Sequence, residues 1–450
     1  MLITTLIIVA ILVSGYILMS IDKINHINRG AVAMFTGVIV WIVYMLEGSS
    51  FLNVMHPEFQ NEMPIHKFVA DNIIMKYIAE ACQVILFLIA TNTIVEVMNN
   101  NGVFDPLNKW LRMKNSKKFL WAWSILTFLV SANVDNLTTV VLMMTIMCKI
   151  VTNNKQKLIY ACVILISANL GGSFTVIGDM TSLMLWVRGV VTPSAFAAGI
   201  ILPAFTTLCV FNILISSYIK GNVETASTIN MFRGDDSLLK PWQTITMLTV
   251  GIGGLWSIPT FHSITGFPPF IGALCVLALI WVLESWFTYK INGNLLFVRR
   301  DHLKNTEFIS IQIILYYLGV VLGISALYEC GALDFIKDRF TAELHNVYAY
   351  GAITGFVSSV VDNVPFVMAG MNLFKDSTGL PPEDFALNGN YWQMLSYCSA
   401  IGGCLLYVGT LAGHAIIDIH NIRLGWYIRH IFWRVLVAWA AGMLMFWITH

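Results

Sequence analysis

The sequence predicts an all-α polytopic membrane protein built as an inverted structural repeat. Each half is expected to carry five transmembrane helices and one re-entrant hairpin, with broken helices at the midplane. Three observations lead there: the apolar composition, the placement of Lys and Arg, and a polar pattern that recurs half a chain later. Of 450 residues, 57% are hydrophobic and 11% charged, against about 25% charged in an ordinary soluble domain. Mean hydropathy is +0.73. So few charges cannot cover a water-soluble surface, which excludes a soluble enzyme, a nucleic-acid binder and a disordered chain. Lipid is the expected solvent, and backbone polar groups must then be satisfied within helices. A net charge of +1 supplies no field to recruit an anionic partner. Cysteines 82, 148, 162, 209, 275, 330, 398 and 404 show no paired spacing, so neither a disulfide framework nor a metal cluster is expected, and no cofactor.

A helix needs about 20 apolar residues to cross the hydrocarbon core. Single spans are expected at 1–20, 30–47, 73–97, 158–190, 194–218, 241–260, 268–289, 306–330, 391–420 and 430–449. The first lacks a basic start and a small-residue cleavage site, so it reads as a retained helix and not a signal peptide. Segments 119–149 and 346–374 are too long for one straight span. Polar clusters interrupt both, Ser131-Ala-Asn-Val-Asp-Asn136 and Ser358-Ser-Val-Val-Asp-Asn-Val-Pro365. Basic residues favour cytoplasmic loops. With both segments as hairpins and both termini outside, 20 of the 26 Lys and Arg fall inside, the exceptions being Lys67, Lys76, Arg188, Lys337, Arg339 and Lys375. With both segments crossing, the split is 13 to 13. The hairpin reading is preferred, the first entering from the cytoplasm and the second from outside.

The repeat follows. Residues 1–220 hold three helices, hairpin 119–149, broken helix 158–190 and a last helix. Residues 221–240 form a polar cytoplasmic linker. Residues 241–450 hold the same series, with hairpin 346–374 and broken helix 391–420. Five crossings per half invert the second half. Asp135-Asn136 matches Asp362-Asn363 at an offset of 227, Gly171-Gly172 with Gly178 matches Gly402-Gly403 with Gly409 at 231, and Glu96 matches Glu329 at 233. Inverted repeats with broken helices at the midplane mark secondary transporters.

Eight acids lie in apolar segments: Glu80, Glu96, Asp135, Asp179, Glu284, Glu329, Asp362 and Asp418. No basic residue is expected at their depth. Buried acids of this kind point to function, and without basic partners they need protons or cations. Ser131, Asn133, Asp135, Asn136, Thr138 and Thr139 supply hard oxygen donors at one hairpin tip, and Ser358, Ser359, Asp362 and Asn363 at the other. Such donors suit Na⁺ or Li⁺. The Gly-Gly breaks free backbone carbonyls beside Asn169, Asp179, Thr181 and Ser182, and beside Ser396, Ser399 and Thr410. Asp135 and Asp362 also fit N-caps, which is compatible with ion binding, and the Gly-Gly pairs also fit tight helix packing. Glu284 fits an interfacial anchor, Glu80, Glu96 and Glu329 are secondary candidates, and Asp418 beside His414 and His420 stays open. Burial raises a carboxylate's affinity for a proton, while cations and helix N-termini lower it. One carboxylate therefore holds either H⁺ or Na⁺, which yields exchange. The expected Na⁺ ligands are Asp135 and Asp362, with Asp179 as a third exchanged carboxylate.

Four stretches, covering most of the chain, resemble the NhaD-type Na⁺/H⁺ antiporters of the ion transporter superfamily. They are Ile78-Ala-Glu80 with Thr93-Ile-Val-Glu-Val97, Ser131 to Thr139, Ser167-Ala-Asn-Leu-Gly-Gly172 through Ile177-Gly-Asp-Met-Thr-Ser-Leu-Met-Leu-Trp186, and Val360-Val-Asp-Asn-Val-Pro365. The resemblance implies electrogenic exchange of Na⁺ or Li⁺ for H⁺, a scaffold and a transport domain moving as an elevator, and a homodimer in a bacterial cytoplasmic membrane. It points to Ser131, Asp135, Asn136, Asn169, Asp179, Thr181, Ser182, Ser359 and Asn363. The second broken helix departs from the pattern, with Ile401-Gly-Gly-Cys404 and Gly409-Thr410 where Thr-Gly-Gly-Ser and then Gly-Ser are expected. A thiol is a poorer Na⁺ ligand than a hydroxyl. Two other readings stay open. Na⁺-coupled dicarboxylate, citrate, arsenite or sulfate carriers of the same superfamily bind anions at similar tips, and a channel shares the apolar composition.

Overall fold

The computed structural model describes residues 2–20, 28–57, 59, 63–104, 111, 113–219, 221–224, 239–292, 307–335, 337, 346–373, 382–420 and 422–450. Most of the expected linker 221–240 lies outside them, and so do the side chains of Asp418 and His420. The first half contains α1 (Leu2–Ser20), α2 (Arg29–Met45), α3 (Gly48–Met55), α4 (Ile65–Asn100), α5 (Ser116–Ser131), α6 (Asn136–Ile150), α7 (Asn154–Ser173), α8 (Met180–Val187) and α9 (Pro193–Ser216). The second contains α10 (Pro241–Thr265), α11 (Pro269–Asn292), α12 (Glu307–Glu329), α13 (Val347–Ser358), α14 (Asn363–Leu373), α15 (Pro382–Phe385), α16 (Asn390–Gly402), α17 (Leu411–His420) and α18 (Leu424–Thr449). Among the described residues, 7 helices are long and apolar enough to cross a membrane, or 8 if the bent pair α2 and α3 is one span. The chain is a multi-pass membrane protein.

Most expected spans are found within a few residues. Two differ at their N-terminal ends. α4 begins at Ile65 and α18 at Leu424, each through a π-helical turn, Val69–Ile74 and Ile428–Phe432. Both extensions carry polar residues such as Asp71, Asn72, Arg429 and His430, which hide a helix from an apolar-length criterion. α3 was not expected at all: it turns 89° from α2, and Glu47 between them carries no side-chain cap.

Segments 119–149 and 346–374 each form two helices, α5 with α6 and α13 with α14. Both ends of the first pair meet one strip of chain. Asn115 bridges Asn222, and the Thr152 amide donates to the Glu224 carbonyl at 2.9 Å. Both ends of the second pair meet Tyr391. Its ring lies 5.2 Å from that of Tyr350, and its hydroxyl donates to the Gly370 carbonyl at 3.0 Å. Each pair therefore turns back to the end it left. They open at opposite ends of α9. Residues 221–224 follow its C-terminus, whereas Asn388, next to the Tyr391 helix, accepts from the amide of Thr192 before its N-terminus at 2.6 Å.

Backbone proximity explains the glycines. A Cβ on Gly171 would strike the Phe128 carbonyl, and one on Gly402 the Gly355 carbonyl; Gly178 and Gly409 press in the same way on the Ser131 and Ser358 carbonyls. The tight-packing account of the Gly-Gly pairs is thus realised, α7 and α16 lying backbone to backbone on α5 and α13. Helices α1, α2, α4, α10, α11 and α12 pack on one another as one bundle. The hairpins, the broken helices, α9 and α18 form a second. The bundles meet where α4 and α12 touch α8 and α14.

Candidate functional site

Where the bundles meet, a cavity of about 10 Å³ is lined by Leu88, Asn92, Asp135, Asn136, Leu137, Asp179, Met180, Ile313, Asn363, Val364 and Leu411. That is room for one water-sized occupant. The local sequence explains how these residues converge. Asp-Asn after the α5 turn starts α6, and the Gly178-Asp179 break starts α8. Asn363 starts α14, and Leu411 starts α17 after the second break. Four helix N-termini thus surround one point. Each carries about half a positive charge, so together they match two ionised carboxylates. Buried acids here need no Lys or Arg partner.

Asp179 is the hub. It is 3% exposed, and it does not cap its own helix. Its Oδ1 accepts from the Asn136 amide nitrogen at 3.2 Å. Its Oδ2 accepts from the Thr181 hydroxyl at 2.8 Å and from the Asn363 amide nitrogen at 3.5 Å. Asn136 also donates to Asn169 Oδ1 at 3.1 Å. Asn136 and Asn363, from the two hairpin tips, therefore hold the same carboxylate. Asp135 faces this cavity and caps α6, accepting from the Thr138 amide at 3.3 Å. The Thr138 hydroxyl donates to Asn92 Oδ1 at 2.6 Å, which ties the first tip to the other bundle.

The remaining candidates sit elsewhere. Ser131 donates to the Ala168 carbonyl at 2.6 Å and Ser358 to the Ser399 carbonyl at 2.8 Å, each fastening a hairpin tip to a broken helix. Asn133, Ser182, Ser359 and Ser399 donate to backbone carbonyls close by in sequence. Thr410 accepts from the Gly413 amide at 3.0 Å. Asp362 does not line the Asp135 cavity. Its Oδ2 accepts from the Tyr316 hydroxyl on α12 at 2.6 Å, and its Oδ1 is buried with no hydrogen-bond partner.

The expectation that the acids lack basic partners is corrected at Glu80, at Glu329 and at Asp362, on which the Arg29 charge acts. Glu80 pairs with Arg188 at 3.5 Å. Glu329 pairs with His56 at 2.7 Å and accepts from the Tyr77 hydroxyl at 2.8 Å. Arg188 follows the last turn of α8, where packing brings Glu80 of α4 beside it. Glu96 is half-buried on α4 and does not line the cavity. Glu284 accepts from the Asn101 amide at 3.0 Å. Sequence reasoning missed Asn92 and Tyr316. Thr91-Asn92-Thr93, three polar residues inside an apolar span, was the available signal for the first; a tyrosine in a membrane helix carries none. Among the described residues there is no group of three or more His, Cys, Asp or Glu that could hold a metal ion.

Comparison with known proteins agrees with this architecture. The chain is 28% identical over 441 residues to "Sodium/proton antiporter 2" of Arabidopsis thaliana, covering 97% of each chain. It is 25% identical over 398 residues to "Na(+)/H(+) antiporter NhaD" of Vibrio parahaemolyticus, covering 83% of this chain and 89% of that one. It is 24% identical over 433 residues to the protein of the same name from Alkalimonas amylolytica, covering 91% and 83%. The resemblance to NhaD-type antiporters thus extends well beyond the four stretches that first showed it. A profile described as citrate transporter (CitMHS) matches residues 8–387, most of the chain. The chain belongs to the CitMHS family, a family of membrane transporters and not of enzymes.

Proposed function

We propose that this protein exchanges Na⁺ or Li⁺ for H⁺ across its membrane, with Asp135 and Asp179 binding the cation and the proton alternately. The observation that carries the reading is the cavity itself. Two carboxylates and the amides of Asn136 and Asn363 line or bound it, and it has room for one small occupant. Four N-termini nearly balance the two carboxylates, so the site accepts one added positive charge and gives it up again. H⁺ and Na⁺ both qualify, and each excludes the other. Relatives named as sodium/proton antiporters support the same exchange.

An anion is the second reading, because the family description is citrate transporter and helix N-termini attract anions. Against it stand the cavity's size and the carboxylates already occupying the N-termini. In proteoliposomes loaded with a pH dye, a Na⁺ gradient is expected to drive saturable proton movement that added citrate leaves unchanged. Citrate uptake that needs Na⁺, without proton counterflow, would replace this reading with the second.

The two-bundle packing also supports an inverted repeat with a moving and a static part. The order of elements repeats after α9, α9 packs on α18, and the hairpins open at opposite ends. In this reading α1, α2, α4 and α10 to α12 are the scaffold, the other bundle travels as an elevator, and the protein is a homodimer. Lys and Arg placement supports both termini outside with Arg188 at the outer end, and the bacterial relatives named NhaD support a bacterial cytoplasmic membrane.

A further inference from the structure

A second cavity, of about 290 Å³, lies between the same two bundles and is lined by residues that include Glu80, Gln83, Val84, Met184, Arg188 and Tyr317. The cation cavity and this one share their walls. On α4 the lining steps from Leu88 to Val84, on α8 from Met180 to Met184, on α12 from Ile313 to Tyr317, and on α14 from Val364 to Met368. Each step is four residues, about 6 Å along a helix, and all four run toward the Arg188 end. The large cavity is therefore stacked one turn outside the small one.

Its charged lining is one acid and one base, Glu80 and Arg188. They are 3.5 Å apart with side chains 38% and 22% exposed. An ion pair this hydrated is weak, so an arriving cation can displace it. Arg188 has another partner waiting, since its guanidinium donates to Asn372 Oδ1 at 2.7 Å. Glu329, behind the wall, is already satisfied by Tyr77 and His56, which leaves Glu80 as the acid that faces the space. An unpaired Arg188 in the same space would repel cations.

We propose that the large cavity is the antechamber of the Asp135–Asp179 site, and that Glu80, exchanging Arg188 for the incoming ion, is where an entering cation first binds. The inference rests on the cation-exchange reading, and two measurements separate its failure from the failure of that reading. The first is exchange kinetics with Na⁺ varied on the Arg188 side. Glu80→Gln is expected to raise KM for Na⁺ about fivefold, the scale of one hydrated charge–charge contact at 4 Å, with the effect on KM and not on kcat, and Glu80→Asp is expected to restore most of it. The double variant Glu80→Gln/Arg188→Gln decides the cause. A KM that stays raised supports capture by Glu80. A return to the wild-type KM means that Glu80 serves only to silence Arg188, and overturns the proposal, as does an unchanged KM in Glu80→Gln.

The second measurement needs no exchange activity. In a Cys82→Ser background, Gln83→Cys is expected to react faster with a positively charged methanethiosulfonate than with a negatively charged one, relative to a free thiol. Glu80→Gln is expected to abolish that preference. A preference that survives Glu80→Gln overturns the proposal whatever the transported ion.

Discussion

Asp135 and Asp362 hold matched positions at the two hairpin tips, yet their carboxylates are held differently. Asp135 receives a backbone amide of its own helix and faces the small cavity. Asp362 receives a phenol from the opposite bundle and keeps one oxygen unpartnered. The broken helices account for part of the difference. At the matched offset of 231, Asp179 of the first half faces Thr410 in the second, and Asn169 faces Ala400. The first half supplies the second carboxylate and an extra amide, while the second half contributes Asn363 and the N-termini of α14 and α17. The two halves thus share close glycine contacts at matched positions, while most of the polar lining of the small cavity comes from the first half. Both tips bond across the bundles, the first through the Thr138 hydroxyl to Asn92 and the second through Tyr316 to the carboxylate itself.

The largest expected effect is at the two carboxylates of the small cavity. Asp179→Asn or Asp135→Asn keeps the shape and removes a charge, and Na⁺-driven exchange in proteoliposomes should fall about 100-fold or more, the scale of ~3 kcal/mol lost from a buried charge contact. Asp362→Asn should cost less, about tenfold, and Tyr316→Phe should act in the same direction, since it leaves a buried carboxylate without its donor at a cost of about 1–3 kcal/mol. Equal losses at Asp135 and Asp362 would show that the tips are functionally equivalent and erase the distinction.

Where the halves agree, variants should agree too. Gly171→Ala and Gly402→Ala each push a methyl group into a carbonyl of the neighbouring helix. Each should cost about 1–3 kcal/mol, read as a lowered melting temperature in detergent. A harmless substitution at one of them would show that the backbone contact is not shared. The smallest effect is expected at Cys404, which departs from the hydroxyl pattern. Its thiol is buried against the Ala400 carbonyl at 3.5 Å, as the matched Ser173 hydroxyl is against the Leu170 carbonyl at 2.9 Å. Neither lines the small cavity. Cys404→Ser should leave KM for Na⁺ within about twofold; a large fall in KM would place the thiol in the site.

Much of this was legible in the sequence because lipid imposes simple rules. Apolar runs of about 20 residues locate spans, and Lys and Arg placement led to the expectation that segments 119–149 and 346–374 turn back; each is a pair of helices whose far ends meet common neighbours. The Asp-Asn pairs and the Gly-Asp break pointed to residues that do lie together: Asn136, Thr181 and Asn363 donate to Asp179, Asn169 accepts from Asn136, and Asp135 lines the same cavity. The bonding of the hydroxyl residues was not legible. Ser131, Ser358 and Ser359 occur near the tips, but a serine in an apolar segment has nearby carbonyls to bond, and composition does not reveal its direction. Partners far apart in sequence were also invisible. Glu80 meets Arg188 and Glu329 meets His56 only through packing, and the partner on Asp362, Tyr316, is an aromatic residue that reads as ordinary core.

In the proposed exchange, Na⁺ and H⁺ compete for the carboxylates of one cavity. It is tested most directly by titrating the purified protein with Na⁺ in calorimetry, in two buffers of different ionisation enthalpy. The account predicts that Na⁺ binding releases protons from the wild-type protein, with weaker apparent binding as pH falls, and that Asp135→Asn loses both the binding and the release. Na⁺ binding without proton release, or release of wild-type size from Asp135→Asn, would contradict it.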